Sequence, residues 1–260
     1  MICAGIDGGS RALKVVIFDV AAQKILASAV RDQHVDHNGL AEETFGALLR
    51  EAGLQRSDIK RVIATGYARN LIKAADTTMT EITCHAVGVR FLCPQAMTVI
   101  EIGGQDSKLL RLDPPPASTV RDFAMNDRCA AGTGRFLEVV AARLDTTLSE
   151  LGSLAERAAS PAAISSTCVV FAETEIIGLL ASGVAREDIV AGVQNAIATR
   201  LTAMAGSHLE SPILFTGGVA LIPGMREALE RALANPVTLS PQPQITGALG
   251  AAILAGRSIK

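Results

Sequence analysis

The chain carries one short sequence pattern twice, once in residues 4–19 and again in residues 99–113. Each copy consists of an apolar run, an acid, a Gly-Gly pair, polar residues, a lysine and a second apolar run. β-Branched and aliphatic residues on both sides of Gly-Gly, which permits positive φ and a tight turn, predict a β-hairpin for each copy. The bare amides of such a turn, with a lysine, suit phosphate oxygens, and carboxylates hold Mg²⁺ through water. Two such hairpins predict a clamp for a nucleotide.

A structural alternative exists, because Gly-Gly hairpins are also common as simple turns. One copy alone would favour that interpretation. The second copy, with the same acid, Gly-Gly pair and lysine, favours the ligand site.

Composition narrows the classes of protein that the chain can be. With 260 residues, 49% of them hydrophobic, it can bury a large core in one compact domain or two lobes. The formal net charge of -2, from 24 Lys+Arg and 26 Asp+Glu, gives no basic field for nucleic acid or a membrane surface. No apolar stretch reaches the ~18 residues of a membrane span, and the first predicted strand begins too early to leave room for a signal peptide. We therefore expect a cytoplasmic protein.

Five cysteines are spread widely along the chain. They form no disulfide framework and include no Cys-x-x-Cys pair. Cys3 falls in the first predicted strand, and Cys84 and Cys93 lie in or just after a predicted helix at 81–92. Buried small hydrophobic side chains are the better interpretation for these three.

Cys129 and Cys168 occur in two segments with similar beginnings. The segments are 126–134 and 165–173, and the predicted helices after them are 135–144 and 173–181. Residues typical of helix caps precede each cysteine, so each is expected at or near a helix N-terminus.

Strand-rich blocks alternate with predicted helices, which together with the duplicated hairpin predicts an α/β protein of two lobes with a cleft between them. Lobe I is expected to span 1–95 and lobe II 96–239, and a C-terminal helix at 240–260 is expected to return to lobe I.

Three glycine blocks support this architecture. They lie at 7–10, 101–106 and 216–219, in the order of first phosphate loop, second phosphate loop and adenosine loop in the actin, hexokinase and Hsp70 ATPase superfold. This order predicts that two-lobed fold, with the nucleotide in the interlobe cleft.

Four segments carry a closer family resemblance: 65–70, 126–137, 164–173 and 247–252. They read Thr-Gly-Tyr-Ala-Arg-Asn, Asn-Asp-Arg-Cys-Ala-Ala-Gly-Thr-Gly-Arg-Phe-Leu, Ile-Ser-Ser-Thr-Cys-Val-Val-Phe-Ala-Glu and Gly-Ala-Leu-Gly-Ala-Ala. Together they closely resemble the ATP-dependent activators of 2-hydroxyacyl-CoA dehydratases. The ATP-binding subunits of benzoyl-CoA reductase contain the same motif set, less closely matched. The resemblance covers essentially the whole chain, and the two cysteine motifs are its most specific part.

The resemblance implies a homodimer with one 4Fe-4S cluster at the subunit interface, to which each protomer supplies Cys129 and Cys168. A pseudo-symmetric heterodimer with a related subunit is the alternative assembly. The residues support the cluster independently, because a cubane needs four thiolates and two helix-start cysteines per chain reach four only by twofold symmetry. Helix N-termini also favour thiolate and offer N–H donors to cluster sulfurs. Without the resemblance, two buried structural cysteines would fit as well.

The same resemblance implies a set of residues that bind ATP or ADP. They are Gly9, Ser10, Arg11, Ala12 and Lys14 in the first phosphate loop, Gly104, Gln105 and Asp106 in the second, and Gly132, Gly217, Gly218 and Gly247 in the nucleotide-facing walls. Asp106 and Gln105 are the expected catalytic residues for ATP hydrolysis.

Asp7 and Glu101 are the residues expected to hold Mg²⁺ through water. The family has aspartate where Glu101 stands and glutamine where Leu221 stands, so this chain departs from the family pattern at both positions. Two simpler interpretations stay open: Lys14 as a solvated strand residue, and the acids as turn caps.

These observations predict an ATP-hydrolysing iron–sulfur electron donor that reduces a partner 2-hydroxyacyl-CoA dehydratase. A low-potential protein such as ferredoxin or flavodoxin would supply the electron, and nucleotide-driven lobe closure would move the cysteine-bearing helices. An ATPase subunit of an aromatic acyl-CoA reductase is the nearest alternative, favoured by the segments 40–43 and 51–54. A small-molecule kinase would need a substrate base and no cluster. A nucleotide-sensing regulator would need a DNA-binding appendage, for which the sequence shows no segment.

Overall fold

The computed structural model of the chain describes residues 1–165, 168–206 and 209–259 and has an α/β fold with two five-stranded sheets. The strands are β1 (Ile2–Gly8), β2 (Ala12–Asp19), β3 (Lys24–Asp32), β4 (Ile59–Thr65), β5 (Thr77–Thr78), β6 (Thr98–Ile102), β7 (Ser107–Leu112), β8 (Val120–Asn126), β9 (Ile213–Thr216) and β10 (Val237–Leu239). The helices are α1 (His37–Glu51), α2 (Glu81–Leu92), α3 (Gly134–Arg143), α4 (Leu151–Ala155), α5 (Val169–Ala181), α6 (Arg186–Ala205), α7 (Met225–Leu233) and α8 (Thr246–Arg257). Short 3₁₀ helices lie at Arg56–Asp58, Arg69–Leu71, Ala130–Gly132 and Gly218–Leu221.

The chain divides into two compact units. The first comprises residues 1–96, 112–121 and 241–260, and the second comprises residues 97–111 and 122–240.

The sheet of the first unit has the strand order β3-β2-β1-β4-β5. β1 and β2 are antiparallel, and their register places Asp7 opposite Lys14. β4 runs parallel to β1 and brings Thr65 beside Asp7. Three strands therefore contribute residues to the same end of this sheet.

Side chains that alternate along β2 explain why helices cover both faces of this sheet. Val15 packs in the same apolar core as Phe45 of α1, whereas its neighbour Val16 packs in the same core as Leu249 of α8. Successive side chains of a strand point to opposite faces, so each face has its own apolar layer.

Helix α8 consists largely of small residues, which lets it lie close to β1 and α2. A Cβ at Gly5 of β1 would overlap the carbonyl oxygen of Ala248, and a Cβ at Gly250 would overlap that of Cys84. This close packing brings Gly247, at the start of α8, beside the carboxylate at the end of β1.

The sheet of the second unit has the strand order β10-β9-β6-β7-β8. β6 and β7 are antiparallel with Glu101 opposite Lys108, and β9 runs parallel to β6 with Thr216 beside Glu101. One large core joins this sheet to helices α3, α5, α6 and α7, and Phe136 and Phe215 are fully buried in it.

The two sheets repeat one topology, with β1 to β5 corresponding in order to β6 to β10. The predicted hairpins at 4–19 and 99–113 are confirmed. The repeat also extends beyond the hairpins, because a parallel strand lies beside the first strand of each hairpin and a second parallel strand lies outside it.

Of the helices after the two cysteines, α3 begins within one residue of its predicted start, whereas α5 begins earlier than predicted. Helix α5 begins at Val169, not at residue 173, with Cys168 as its N-cap. Val and Phe are weak helix formers, so the sequence signal is weak over the first turn. Cys129 precedes the 3₁₀ turn Ala130–Gly132, and α3 begins only after that turn. Residues 166 and 167, expected as capping residues before Cys168, lie outside the described residues.

Across the described ranges, none of the helices has both the length and the apolar character that crossing a membrane requires.

Candidate functional site

Asp7 and Lys14 form an ion pair at the end of the first hairpin. Asp7 is buried, and Lys14 Nζ lies 3.1 Å from Asp7 Oδ2, with 19% of the lysine side chain exposed. Gly9 leaves room for this ammonium group, because a Cβ at Gly9 would lie 2.8 Å from Nζ. Lys14 is thus a partly buried, paired cation beside a bare turn rather than a solvated strand residue.

The second oxygen of Asp7, Oδ1, is buried and has no hydrogen-bond donor among the described residues. Gly66, which follows β4 with φ +85°, lies so close that a Cβ would overlap this oxygen. Gly247 lies on the other side, where a Cβ would be 3.1 Å from Asp7 Oδ2. An unsatisfied buried oxygen costs about 1–3 kcal/mol. The Asp7 carboxylate therefore fits between Gly66 and Gly247 only because neither residue has a side chain, and its Oδ1 has no donor in the part of the chain that the structure describes.

The second hairpin holds a tighter cluster of charges. Lys108 Nζ lies 2.9 Å from Glu101 Oε2 and 2.5 Å from Asp106 Oδ2. Only 2% of the Lys108 side chain and 5% of the Glu101 side chain are exposed, compared with 27% for Asp106. Gly103 and Gly217 flank the carboxylates, because a Cβ at Gly103 would lie 2.7 Å from Asp106 Oδ1 and one at Gly217 would lie 2.8 Å from Glu101 Oε1.

The same four positions recur in both units: an acid, a lysine opposite it, and a Thr-Gly pair that ends the neighbouring parallel strand. The sets are Asp7, Lys14, Thr65 and Gly66 in the first unit and Glu101, Lys108, Thr216 and Gly217 in the second. Both glycines have positive φ, +85° and +90°, in the region that favours glycine. In each unit, therefore, a charged hairpin lies beside a turn formed by a glycine.

Sequence reasoning did not name Lys108, Thr65 or Gly66 as site residues. Lys108 occupies the same place in the second repeat as Lys14 in the first, so the repeat itself held the signal. The two Thr-Gly pairs carry a weaker signal, since nothing local shows that they follow equivalent strands.

The loop at 103–106, which the sequence predicts to be the second phosphate loop, is hydrogen-bonded to the start of α3. Gly134 N donates to Gly103 O, and Arg135 N donates to Gly104 O, both at 2.9 Å. Gly132 is buried in the preceding turn, where a Cβ would lie 3.7 Å from Ser107 Oγ. The loop and the segment after Cys129 therefore form one connected piece of backbone.

The two predicted cluster ligands are both half-buried thiols that precede helical turns. The backbone of Cys129 is held by Asn126, whose Oδ1 accepts from Cys129 N and whose Nδ2 donates to Cys129 O. Helices α3 and α5, which follow the two cysteines, are joined by an ion pair between Arg143 and Glu173.

Cys3 and Cys84 are buried, as predicted, whereas Cys93 is half-buried. Burial raises the pKa of the Cys84 thiol to about 12, and it also raises the pKa values of Cys3 and Cys93. These three thiols are poorly suited to form thiolates.

The remaining predicted residues lie on the turns. Ser10 is half-buried, whereas Arg11 is exposed and its Nη1 lies 3.4 Å from Asp32 Oδ1. Gln105 is exposed on the second loop, next to Asp106. Three further predicted residues complete the turns: Ala12 begins β2, Gly104 lies in the second loop and Gly218 begins a 3₁₀ helix. Leu221, at the family's glutamine position, is 55% exposed at the end of that helix.

A family model described as the BadF/BadG/BcrA/BcrD ATPase family matches residues 4–255. The activator of lactoyl-CoA dehydratase from Anaerotignum propionicum is 44% identical over 256 residues, 98% of this chain and 97% of that protein. The solved structure of component A of the Acidaminococcus fermentans (R)-2-hydroxyglutaryl-CoA dehydratase has a TM-score of 0.93 and 39% identity, and covers 99% of this chain and 98% of its own. The Clostridium difficile activator of 2-hydroxyisocaproyl-CoA dehydratase, solved with bound ADPNP, has a TM-score of 0.91 and 40% identity, with coverages of 98% and 94%.

Two further matches are less similar to this chain, one in sequence and one in structure. A benzoyl-CoA reductase subunit of Thauera aromatica is 35% identical over 262 residues, 97% of this chain and 92% of that protein. A ROK hexokinase of Thermus thermophilus has a TM-score of 0.56 at 13% identity, over 100% of this chain and 99% of its own. The hexokinase likeness shows the fold alone, and it confirms the predicted ATPase superfold.

Proposed function

Since the chain belongs to the BadF/BadG/BcrA/BcrD ATPase family, we propose that it is an ATP-hydrolysing iron–sulfur electron donor that activates a 2-hydroxyacyl-CoA dehydratase. The observation that carries this proposal is the end-to-end match, at 44% identity, to an activator of lactoyl-CoA dehydratase. The benzoyl-CoA reductase protein of Thauera aromatica matches less closely, at 35% identity. A dehydratase is therefore preferred over an aromatic-ring reductase as the partner.

The nucleotide phosphates are assigned to the two hairpin turns. In the first, the Lys14 ammonium is partly exposed beside Gly9, Ser10 and Arg11, so it can neutralise phosphate charge while the turn amides donate to phosphate oxygens. In the second, Asp106 is the most exposed of the three clustered charges and is assigned to orient the attacking water. Gln105 is assigned as its partner in that task.

Asp7 and Glu101 fit Mg²⁺ that is held through water. Asp7 Oδ1 is buried and has no donor within the described ranges, so it is free to accept a hydrogen bond from a metal-bound water. Glu101 is also buried and has one oxygen on Lys108 and the other beside Gly217. Bound Mg²⁺ would neutralise charge on the phosphates.

Cys129 and Cys168 fit a shared 4Fe-4S cluster. Both are free thiols, half-buried and so within reach of a second chain, and each precedes a helical turn whose N–H groups can donate to sulfur. Two thiols per chain supply four in a homodimer, or in a heterodimer with a related subunit. The cluster would supply one-electron chemistry at low potential, with ferredoxin or flavodoxin as the proposed electron source.

Hydrolysis is proposed to be coupled to the cysteine segments through backbone hydrogen bonds and one side-chain ion pair of this chain. A nucleotide that moves the loop at Gly103 and Gly104 also moves the start of α3, because the two are hydrogen-bonded. Arg143 and Glu173 pass the displacement on to α5, which begins at Cys168.

The experiment that tests the cluster assignment is iron analysis of protein purified without oxygen. The expected result is a brown dimer with about four irons per dimer. Cys129→Ser and Cys168→Ser are expected to lose the iron and the colour. Cys93→Ser is the matched control, because Cys93 is also half-buried but has no assigned role. Full iron content in both Cys129→Ser and Cys168→Ser would contradict the assignment.

A further inference from the structure

The lysines of the two repeats occupy equivalent positions but differing surroundings. Lys14 contacts one carboxylate, Asp7, and keeps 19% of its side chain exposed. Lys108 contacts two carboxylates, Glu101 and Asp106, and keeps only 2% exposed. The repeat alone would predict the same role for both lysines, whereas the difference in burial and in neighbouring carboxylates indicates different roles.

A lysine that is buried between two carboxylates is poorly placed to bind phosphate. The ion pairs offset the cost of removing its charge from water, and a lysine that turned toward a ligand would break its ion pair with the buried Glu101 carboxylate. Lys14 is better placed, because 19% of its side chain is exposed, so its ammonium group can contact a ligand while it stays beside Asp7.

Asp106 is the group that needs such support. It lies on a turn after Gly103 and Gly104, and it is the most exposed member of the cluster. Lys108 binds its Oδ2, while its Oδ1 lies beside Gly103, where a Cβ would be 2.7 Å from it. One oxygen is therefore held by the lysine, and the other lies over a bare turn.

We propose that Lys108 is a positioning residue for ATP hydrolysis, which fixes the Glu101 and Asp106 carboxylates relative to each other, while Lys14 contacts the phosphates. This inference rests on the proposed function, in which Asp106 orients water. In that reaction the water oxygen bonds to the γ-phosphorus and the bond from that phosphorus to the β,γ-bridging oxygen breaks. ADP leaves with the bridging oxygen, inorganic phosphate keeps the water oxygen, and the released proton passes to solvent. Lys108 touches none of these atoms and acts through Asp106.

The test compares Lys108→Met with Lys14→Met in steady-state ATP hydrolysis by the whole protein. For Lys108→Met we expect kcat to fall about 100-fold, as for a misplaced reacting group, with KM for ATP changed by less than about threefold. For Lys14→Met we expect the opposite split, with KM raised about 10- to 100-fold through the loss of a charged hydrogen bond. Lys108→Arg, which retains the charge and can pair with two carboxylates, is expected to recover part of kcat.

Far-ultraviolet circular dichroism shows which variants are folded. If Lys108→Met is unfolded, the charge-matched double variant Lys108→Met/Glu101→Gln is measured in its place, because it leaves fewer unpaired carboxylates.

The inference is overturned if Lys108→Met raises KM and keeps kcat, if Lys108→Met hydrolyses ATP at the wild-type rate, or if the double variant is also unfolded, which would make Lys108 a folding residue. Absence of ATP hydrolysis in the wild-type protein would overturn the proposed function and this inference with it. That result is distinguishable because it appears without any substitution.

Discussion

Gly134 donates its backbone N–H to the carbonyl oxygen of Gly103 over 2.9 Å, which ties the second phosphate loop to the helix that follows Cys129. The adjacent pair, Arg135 and Gly104, makes the same contact. Main-chain hydrogen bonds between a ligand loop and a helix start leave little freedom for one to move without the other. A change in this loop on nucleotide binding is therefore expected to reach the cysteine segment.

Gly134→Ala is expected to weaken this coupling. A Cβ at residue 134 would lie 3.1 Å from Gly103 O and 3.2 Å from Val219 Cγ2, so the helix start and the loop must separate by a few tenths of an ångström, which strains the hydrogen bond between them. In the wild-type protein, ATP with Mg²⁺ is expected to speed iron removal by a chelator about fivefold or more relative to the nucleotide-free form. In Gly134→Ala that ratio is expected to fall toward one while ATP hydrolysis persists.

Gly46→Ala serves as the control, because Gly46 lies in α1 and a Cβ there would meet only Arg50 at an ordinary 3.6 Å. An unchanged chelation ratio in Gly134→Ala would show that the coupling takes another route.

Asp106→Asn is expected to separate binding from hydrolysis. The amide keeps the size of the side chain but loses the charge that pairs with Lys108 and that is proposed to orient the attacking water. ADP binding should be retained, while kcat falls about 100-fold or more. Calorimetric binding and phosphate release measure the two effects, and Lys60→Ala, an exposed change in the first unit, is the control. Wild-type turnover in Asp106→Asn would remove this carboxylate from the reaction.

The five thiols are expected to differ sharply in alkylation at pH 8. Burial raises the pKa of Cys84 to about 12, so only about 10⁻⁴ of this thiol is thiolate at that pH, and thiolate is the reactive form. Because a higher pKa means less thiolate at a fixed pH, Cys3 and Cys93 should also react slowly. In iron-free folded protein, mass spectrometry after brief iodoacetamide treatment should find the label on Cys129 and Cys168.

The same treatment in denaturant should label all five thiols, which controls for access of the reagent. Rapid labelling of Cys84 in the folded protein would contradict the close packing described for α2 and α8.

Gly250→Ala is expected to destabilise the first unit. A Cβ at this position of α8 would overlap the carbonyl oxygen of Cys84 in α2, so the two helices must move apart. Overpacking of this kind costs about 1–3 kcal/mol, whereas Gly46→Ala, in an open helix position, should stabilise by about 0.4–1 kcal/mol. Urea unfolding followed by circular dichroism measures both. An equal midpoint for Gly250→Ala and the wild-type protein would show that the helix pair can adjust at no cost.

The hairpins could be predicted from sequence because each is local: alternating apolar residues and a Gly-Gly turn lie within one short segment. Lys14 and the acids proposed for the site lie in those segments, so the sequence could name them, and their roles stay predictions. The separate task of Lys108 could not be, because it depends on burial that comes from the rest of the second unit. The same holds for the equivalence of Gly66 and Gly217, which follow strands that are distant in sequence but have equivalent places in the two sheets.

The start of α5 and its ion pair with α3 are two further features that the sequence could not predict. Val169 and Val170 favour strands in isolation but both lie in α5, where Val169 packs against the core of the second unit and Val170 is exposed. The ion pair between Arg143 and Glu173 joins residues with no local relationship in the sequence. Tertiary contacts decide both features.

The central claim, that ATP hydrolysis drives an electron from this protein to a dehydratase, is tested most directly by the nucleotide dependence of dehydratase activation. The protein, reduced by a low-potential donor, would be mixed anaerobically with a dehydratase for lactoyl-CoA, 2-hydroxyisocaproyl-CoA or (R)-2-hydroxyglutaryl-CoA, the classes named for its relatives. We predict that at least one dehydratase turns over its substrate with ATP and Mg²⁺, but not with ADP or ADPNP, and not when Cys129→Ser replaces the wild-type protein. Equal turnover with and without ATP, or activation by Cys129→Ser, would contradict the account.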